Sequence, residues 1–343
     1  MLKAFKFRIY PTASQKQWFV QNFGCVRFTY NHLLKARQES YAKTGVIDYT
    51  LTPASLKKQY DFLKKADSLA LANAQLNLDR AFRNYFKKRA SFPKLKNKKS
   101  MWQSYTTNNQ KGTIYLKDKY LKLPKQKELI QVNLHRPIEG EIRSATISSR
   151  YNEAFYVSLL CEVSAKEITE SRRWIGVAYD PQKLIETSSP VDVPLPLLKK
   201  TEKEMQLAKR KLGIKGRAAQ KRKARLERSK NYQKQKRKVM DLYLKQKFQK
   251  ENYLEQLSGK LIRYYDYLFV EAVPNETFLS DFSLQDWYKL VTKLRYKLVT
   301  KLRYKANWYN KTLILINMNE QTDPLVIKKS LELEKIGKQV VFE

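Results

Sequence analysis

The chain has 343 residues, which suggests two or three domains, and its 42% hydrophobic content excludes a wholly disordered polycation. Its 69 Lys and Arg against 32 Asp and Glu give a net charge of +37, and with 22 Tyr and 15 Phe this composition predicts a nucleic-acid partner. We expect no membrane association, because the sequence has neither a signal peptide nor an apolar run of about 18 residues.

The first part of the chain predicts a strand followed by helices. Phe5–Tyr10 alternates apolar and basic residues, as a half-buried strand does, and a proline follows it. The apolar spacing from Ser14 to about Tyr41 predicts two packed helices, and residues 53–89 predict a further helical stretch. Residues 83–99 then form a basic segment with eight Lys and Arg and no acidic residue.

The remainder predicts a β region and then an α/β region. Short alternating runs indicate strands throughout residues 100–168. Further strands are predicted at Trp174–Tyr179, Leu268–Glu271 and Thr312–Ile316. Residues 199–250 predict a helical region with 21 Lys and Arg against four acidic residues. A run of charged residues is often only a solvated helix face. The positive charges of residues 199–250 repel one another, however, and a bound polyanion would relieve that repulsion.

An immediate tandem repeat interrupts the C-terminal part. Residues 289–296 (KLVTKLRY) recur unchanged as residues 297–304. The repeat predicts either a longer helix or a looped-out duplication, and it carries no chemistry.

Several segments resemble, in order, parts of one known family. A strand and YP open the chain, and a G-x-x-R-F-x-Y-N motif follows at Gly24, Arg27, Phe28, Tyr30 and Asn31. Four further segments complete the set: LNLDRAFRNYFKKRASFPKLKNKK (76–99), SYTTNN (104–109), DWYKLVTKLRYK (286–297) and ANWYNK (306–311). Together they resemble the TnpB family of transposon-encoded RNA-guided nucleases, from which type V CRISPR effectors descend.

The resemblance implies an α+β multidomain fold. Residues 1–11 and 92–168 would form a β-barrel wedge domain, interrupted by a helical recognition domain at residues 12–91. Residues 169–343 would form a RuvC-like, RNase-H-like α/β domain. No cysteine follows Lys311, and Cys25 and Cys161 are far apart, so we expect neither the family's zinc ribbon nor bound zinc.

Two positions of the implied nuclease site depart from the family pattern, and a third position matches it. The family's first motif places an aspartate where this chain has Ala178, and its last aspartate aligns at best with Leu325, whereas the second motif's glutamate is present as Glu271. Such nucleases hold divalent metal between carboxylates, and an alanine methyl ligates nothing. The pattern resembles the nuclease-dead TnpB-like repressors (TldR). It predicts that the chain is not an enzyme, holds no metal, and has only vestigial residues at these three positions.

The function that follows is RNA-guided binding of double-stranded DNA without cleavage, with transcriptional repression by promoter occlusion. One alternative is an active nuclease with a rewired metal site at Asp180 and Glu271, since Asp180 lies two residues after Ala178 on the same strand face. Another alternative is a non-specific nucleic-acid-binding remnant of a transposon gene. We expect a guide RNA, one protein copy per guide, no other cofactor for binding, and a location in the cytoplasm at the bacterial nucleoid.

The resemblance also assigns nucleic-acid contacts. Tyr49, Thr52, Ser68 and Asn73 match segments that read a short motif flanking the target DNA. The RNA and the RNA–DNA heteroduplex are expected to contact Arg27, Lys87, Lys88, Arg89, Lys94, Lys96, Lys221, Arg222, Lys223 and Arg225. For Tyr49, a surface-packing role is an equal alternative.

Overall fold

A seven-stranded antiparallel sheet and a mixed four-stranded sheet organise the chain, each with its own helices. The structure is a computed structural model that describes residues 1–164, 168, 170–180, 184–193, 198–272, 285–317 and 329–342. The chain divides into two compact units, unit 1 (Met1–Ser164) and unit 2 (Ala165–Glu343). No described helix has the length and apolar character needed to span a bilayer.

Unit 1 contains the antiparallel sheet, in the strand order β2-β6-β7-β1-β5-β4-β3. Its strands are β1 (Leu2–Tyr10), β2 (Trp102–Asn108), β3 (Tyr115–Lys117), β4 (Tyr120–Lys122), β5 (Ile130–Asn133), β6 (Glu141–Arg150) and β7 (Ala154–Glu162). The alternation that predicted β1 is confirmed, because Phe5, Phe7 and Ile9 are buried. β1 pairs with β7 on one side and β5 on the other, so the first strand of the chain lies inside the sheet.

The helices of unit 1 lie between β1 and β2 in the sequence. They are α1 (Ala13–Thr44), α2 (Pro53–Gln59), a 3₁₀ turn (Asp61–Lys65) and α3 (Ser68–Phe86). The prediction of two helices over residues 14–41 is wrong, since α1 is continuous over 32 residues. A capping box between Thr12 and Gln15 begins it, and Gly45 ends it with a left-handed φ of 70°. Gly24 lies within α1 and does not break it.

Unit 2 contains the mixed sheet, in the order β11-β10-β8-β9. Its strands are β8 (Trp174–Asp180), β9 (Leu184–Thr187), β10 (Tyr267–Glu271) and β11 (Thr312–Ile316). β10 runs parallel to both β8 and β11, whereas β8 and β9 are antiparallel. The three strands predicted from sequence for this part of the chain are therefore confirmed.

The helices of unit 2 are α4 (Leu198–Lys221), α5 (Lys230–Tyr264), α6 (Gln285–Trp308) and α7 (Lys329–Phe342). The basic region at residues 199–250 is not one helix, because a turn over residues 222–229 separates α4 from α5. Both copies of the tandem repeat lie within α6, which confirms the longer-helix interpretation.

Two glycines allow α7 to approach the sheet of unit 2. A Cβ atom on Gly176 of β8 would lie 1.8 Å from the Ser330 backbone oxygen of α7. A Cβ atom on Gly337 of α7 would lie 2.0 Å from the Phe269 ring of β10. Real Cβ atoms do not approach this closely, so the packing of α7 on this sheet depends on both glycines.

Candidate nucleic-acid interface

Ala178 and Glu271 lie side by side near the ends of β8 and β10. The β8–β10 ladder pairs Val177 with Val270, and these two residues follow directly. Glu271 Oε2 accepts a hydrogen bond from the backbone N–H of Tyr179 at 2.7 Å. The Glu271 side chain therefore links β10 to β8 by a hydrogen bond, and the Ala178 side chain is buried beside it.

Two further carboxylates lie on the β8–β9 hairpin. Ala178 pairs directly with Glu186 of β9, and Asp180 ends β8 two residues further along. The Arg295 guanidinium lies 4.4 Å from the centre of the Tyr179 ring. Burial lowers the pKa of Arg295, and the nearby charges of Glu271 and Asp180 oppose that shift. Sequence reasoning missed Glu186, because only the strand register places it opposite Ala178.

The RNase-H-like domain predicted from the sequence would hold a divalent metal between several carboxylates. Among the described residues there is no group of three His, Cys, Asp or Glu side chains that could hold a metal ion. One carboxylate oxygen of Glu271 accepts a hydrogen bond from the Tyr179 N–H. The described residues alone therefore do not complete such a centre. Leu325, the third position named from sequence, lies outside the described residues.

The cationic tip of the α4–α5 hairpin carries four of the predicted RNA contacts. Lys221 ends α4, and Arg222, Lys223 and Arg225 lie in the turn before α5. All four side chains are exposed. We call these four residues the hairpin tip. Four exposed cations so close together form a surface that can contact phosphates.

The basic segment of unit 1 leaves the end of α3. Lys87 caps α3 through its backbone N–H, and Lys88 follows in a left-handed conformation with φ 54°. The side chains of Lys87, Lys88, Arg89 and Lys94 are exposed. These four cations therefore lie on a surface that can contact a polyanion.

Lys96 and Arg27 each contact other residues of unit 1. The Asn31 side chain accepts from the Lys96 N–H at 2.8 Å and donates to the Lys96 carbonyl at 2.9 Å. The Lys96 ammonium lies 4.2 Å from the centre of the Tyr30 ring. Arg27 Nη1 donates to Gln103 Oε1 at 3.3 Å. The family motif containing Arg27, Tyr30 and Asn31 thus joins α1 to the chain around residues 96–103.

The predicted flanking-motif contacts have different structural roles. Thr52 caps α2 through a capping box with Ser55, so its hydroxyl is already engaged. Ser68 is exposed at the start of α3 and accepts a hydrogen bond from Lys57 Nζ. Asn73 donates to the Leu69 carbonyl at 2.9 Å and lies 3.4 Å from Asn108 Oδ1.

Tyr49 lies against a buried arginine. Its ring is 51% exposed, and the Arg37 guanidinium is centred 4.5 Å from it. Arg37 is 2% exposed and forms an ion pair with Asp79 at 2.6 Å. Its Nη1 atom has no hydrogen-bond partner among the described residues, although a buried donor left without a partner costs roughly 1–3 kcal/mol.

Arg37 also lines a groove that sequence reasoning missed. The groove has a volume of about 410 Å³ and lies between the C-terminal parts of α1 and α3 and the following loop. Tyr41, Tyr85, Phe86, Phe92 and Lys88 line it with Arg37. We call it the α1–α3 groove. The close spacing of aromatic residues in FRNYF and SFP was its only signal in the sequence, and Tyr41 joins them only through the fold.

Comparisons with known proteins agree with the resemblance. A family model for the OrfB/IS605 helix-turn-helix domain matches residues 1–45, which here form β1 and α1. A Streptomyces pristinaespiralis protein named as an RNA-guided DNA endonuclease is 27% identical over 92% of this chain and 77% of its own length. InsQ of Escherichia coli (strain K12), also named as an RNA-guided DNA endonuclease, is 26% identical over 71% of this chain and 59% of its length. The chain belongs to the TnpB/IS605 OrfB family.

The fold is also similar to that of a solved structure. A Cas12f1 chain from a complex with sgRNA and target DNA superposes with a TM-score of 0.60 at 12% identity, covering 98% of this chain and 94% of that chain. This likeness confirms an α+β fold of the Cas12f type, with the seven-stranded antiparallel sheet and its helices.

One prediction from sequence is contradicted. We predicted from Ala178 and Leu325 that the chain is not an enzyme, yet both TnpB-family relatives above are named as endonucleases. The prediction rested on two positions of the sequence, of which Leu325 lies outside the described residues. In the structure, Asp180, Glu186 and Glu271 all lie on strands that meet next to Ala178, so an alanine there does not decide the activity.

Proposed function

We propose that this TnpB-family protein binds a guide RNA and uses it to recognise a matching DNA duplex next to a short flanking motif. The relatives that match most of the chain are named for RNA-guided action on DNA, and the fold is that of a protein solved with sgRNA and target DNA. The guide RNA is the component that binding requires, with one protein copy per guide.

The exposed cations of both units are the observation that carries this proposal. Residues 199–250 have a net charge of +17, and the hairpin tip presents four of those cations to solvent. Each phosphate that a cation neutralises releases counterions, so such a surface favours a long polyanion over a small ligand. Sequence specificity then comes from base pairing with the guide, while the protein contacts backbone and flanking duplex.

Flanking-motif reading by Tyr49, Thr52, Ser68 and Asn73 is the finer part of the proposal. Of these, Asn73 and Tyr49 offer polar side-chain groups for contact with DNA in unit 1. The Thr52 hydroxyl instead caps α2 and so supports the loop before it. A complex bound at a promoter would also exclude RNA polymerase from it, so we include transcriptional repression by occlusion.

RNA-guided cleavage of the bound DNA is a second candidate function. The names of both relatives favour it, and Asp180 and Glu271 are the carboxylates whose replacement tests it. Among the described residues, these two carboxylates belong to no group of three side chains that could hold a metal ion.

The deciding experiment begins with RNA that co-purifies with the full chain. Sequencing should return one enriched RNA species, and the complex should bind a duplex that matches its guide region more tightly than a mismatched duplex. Incubation of that complex with Mg²⁺ reports cleavage in the same assay. A protein that carries no enriched RNA, or that binds matched and mismatched duplexes equally, would contradict the proposal.

A further inference from the structure

We propose that the α1–α3 groove binds an unpaired nucleotide of the RNA, with its base among the aromatic rings and its phosphate on Lys88. This inference rests on the proposed function, because it assigns the position of one unpaired base within the bound RNA. None of the residues assigned to RNA or DNA above, apart from Lys88, lines this groove.

The shape of the groove suits a flat aromatic ligand. Its volume of about 410 Å³ lies in the range of about 300–1,000 Å³ that is usual for small-ligand sites. The ring of Phe92 stands edge-on to Tyr85, with centroids 5.1 Å apart and planes at 82°. Tyr41 and Phe86 remain 58% and 59% exposed, although these are large apolar side chains. An inserted base would stack on these two rings and remove their faces from water.

The charge around the groove identifies the ligand as an anion that carries an aromatic ring. Lys88 lines the groove, and residues 83–99 around it contain eight Lys and Arg and no acidic residue. Arg37 also lines the groove, and its Nη1 lacks a hydrogen-bond partner among the described residues. A purely apolar peptide would leave this positive rim without a counter-charge, whereas a nucleotide satisfies both features.

The predicted nucleotide is unpaired for a geometric reason. A base inside a duplex is covered on both faces by its neighbours, so it cannot stack on a protein ring without being extruded. Single-stranded segments offer free faces, and base–aromatic stacking is tolerant of sequence. The groove is therefore suited to hold a base from a loop, a bulge or a strand end, whatever its identity.

Binding of a short single-stranded oligo(rA), and of the same oligonucleotide with abasic residues, separates stacking from charge. For full-length Phe86→Ala we expect a loss of about 5- to 140-fold in affinity for oligo(rA), equivalent to roughly 1–3 kcal/mol per stacked base, and little change for the abasic probe. Phe86→Trp should retain the affinity, since it keeps a ring. Tyr115→Ala, which removes a 44% exposed ring from β3 of the same unit, is the matched control and should bind normally.

Photocrosslinking localises the site. An oligo(rU) carrying a single 4-thiouridine should crosslink to peptides that contain Tyr41 or Phe86. Crosslinks confined to other segments, or equal losses for the base-containing and abasic probes, would overturn the inference while leaving RNA binding itself intact. A dimer in light scattering that Phe86→Ala converts to a monomer would show that a second copy occupies the groove. Failure of the protein to bind any RNA would instead overturn the proposed function.

Discussion

The backbone N–H of Tyr179 donates to the Glu271 carboxylate at 2.7 Å, and this bond joins the ends of two adjacent parallel strands, β8 and β10. Glu271 therefore contributes a hydrogen bond to the local structure, whether or not it also serves chemistry. The consequence is that an alanine substitution at this position would confuse loss of structure with loss of activity.

Replacement of Glu271 separates these two roles. Glu271→Ala leaves the Tyr179 N–H without its acceptor in a buried place, and we expect a loss of about 1–3 kcal/mol in the stability of unit 2. Glu271→Gln keeps an acceptor oxygen and should lose less, although it abolishes the negative charge. Hydrogen exchange of the β8 and β10 amides measures the difference. If both variants exchange alike, the hydrogen bond is not what holds these strand ends.

Gly176→Ala should displace α7 from the sheet. The new Cβ atom would lie 1.8 Å from the Ser330 backbone oxygen, and backbone cannot move aside as a side chain can. Overpacking of this kind costs typically about 1–3 kcal/mol, so we expect a lower unfolding midpoint and faster amide exchange in α7. Gly213→Ala is the matched control, because nothing lies within 4 Å of its Cβ position in α4. That variant should be as stable as the parent or up to about 1 kcal/mol more stable.

Asp266 should make the stability of unit 2 depend on acid pH. Burial alone would raise the pKa of Asp266, but an ion pair with Lys311 and hydrogen bonds from Ser171 outweigh it and hold the pKa below its usual value. Because the folded pKa is depressed, the stabilisation is present above the unfolded value of about 3.9 and is lost as pH falls through the folded pKa. Asp266→Asn should therefore destabilise unit 2 near neutral pH, and the difference should shrink in acid. Urea unfolding at several pH values measures this dependence. A constant difference between parent and variant would contradict it.

The strands were predictable because their signals are local. Alternation of Phe5, Phe7 and Ile9 with basic residues identifies β1, and the limits of β11 follow from one apolar run. The continuity of α1 was not predictable in the same way, because Gly24 is a weak helix former whose environment the sequence does not show.

The candidate site was less predictable, because it depends on register and on distant contacts. Glu186 lies opposite Ala178 only through the β8–β9 pairing. Tyr41 and Phe92 come together in the α1–α3 groove from separate parts of the chain. The sequence showed which chemical types were present, whereas their juxtaposition depends on the fold.

The hairpin tip should set the salt dependence of RNA binding. Replacement of Lys221, Arg222, Lys223 and Arg225 by Ala removes four exposed cations, and for single-stranded RNA this should flatten the slope of log affinity against log salt by up to about 3. A control variant replaces four exposed lysines of unit 1: Lys111, Lys117, Lys119 and Lys127. Titrations of the co-purified RNA at several salt concentrations compare the two. An unchanged slope in the hairpin-tip variant would show that this surface is merely solvated.

The flanking motif should be read by Tyr49 and Asn73, independently of the guide. The Asn73 amide nitrogen donates to the Leu69 carbonyl and to Asn108 Oδ1, so its side-chain oxygen is the atom expected to accept a hydrogen bond from the amino group of a base in the major groove. Binding to a library of duplexes that share one guide match but differ in flanking sequence measures the preference. Tyr49→Ala and Asn73→Ala should change the preferred flank while a matched guide is still needed, and the loss of a good base contact is worth about 1–3 kcal/mol.

Thr52 supplies the contrast that makes this prediction specific. Its hydroxyl caps α2, so Thr52→Ser should keep both the cap and the flanking preference, whereas Thr52→Ala should cost roughly 1 kcal/mol of stability. If Asn73→Ala weakens binding equally for every flanking sequence, its contact is structural and not a reading of bases. A change of the guide's seed should move binding to a new matching duplex that has the same flank. A protein that reads DNA by itself would keep its original site, and that result would show that base pairing does not select the target.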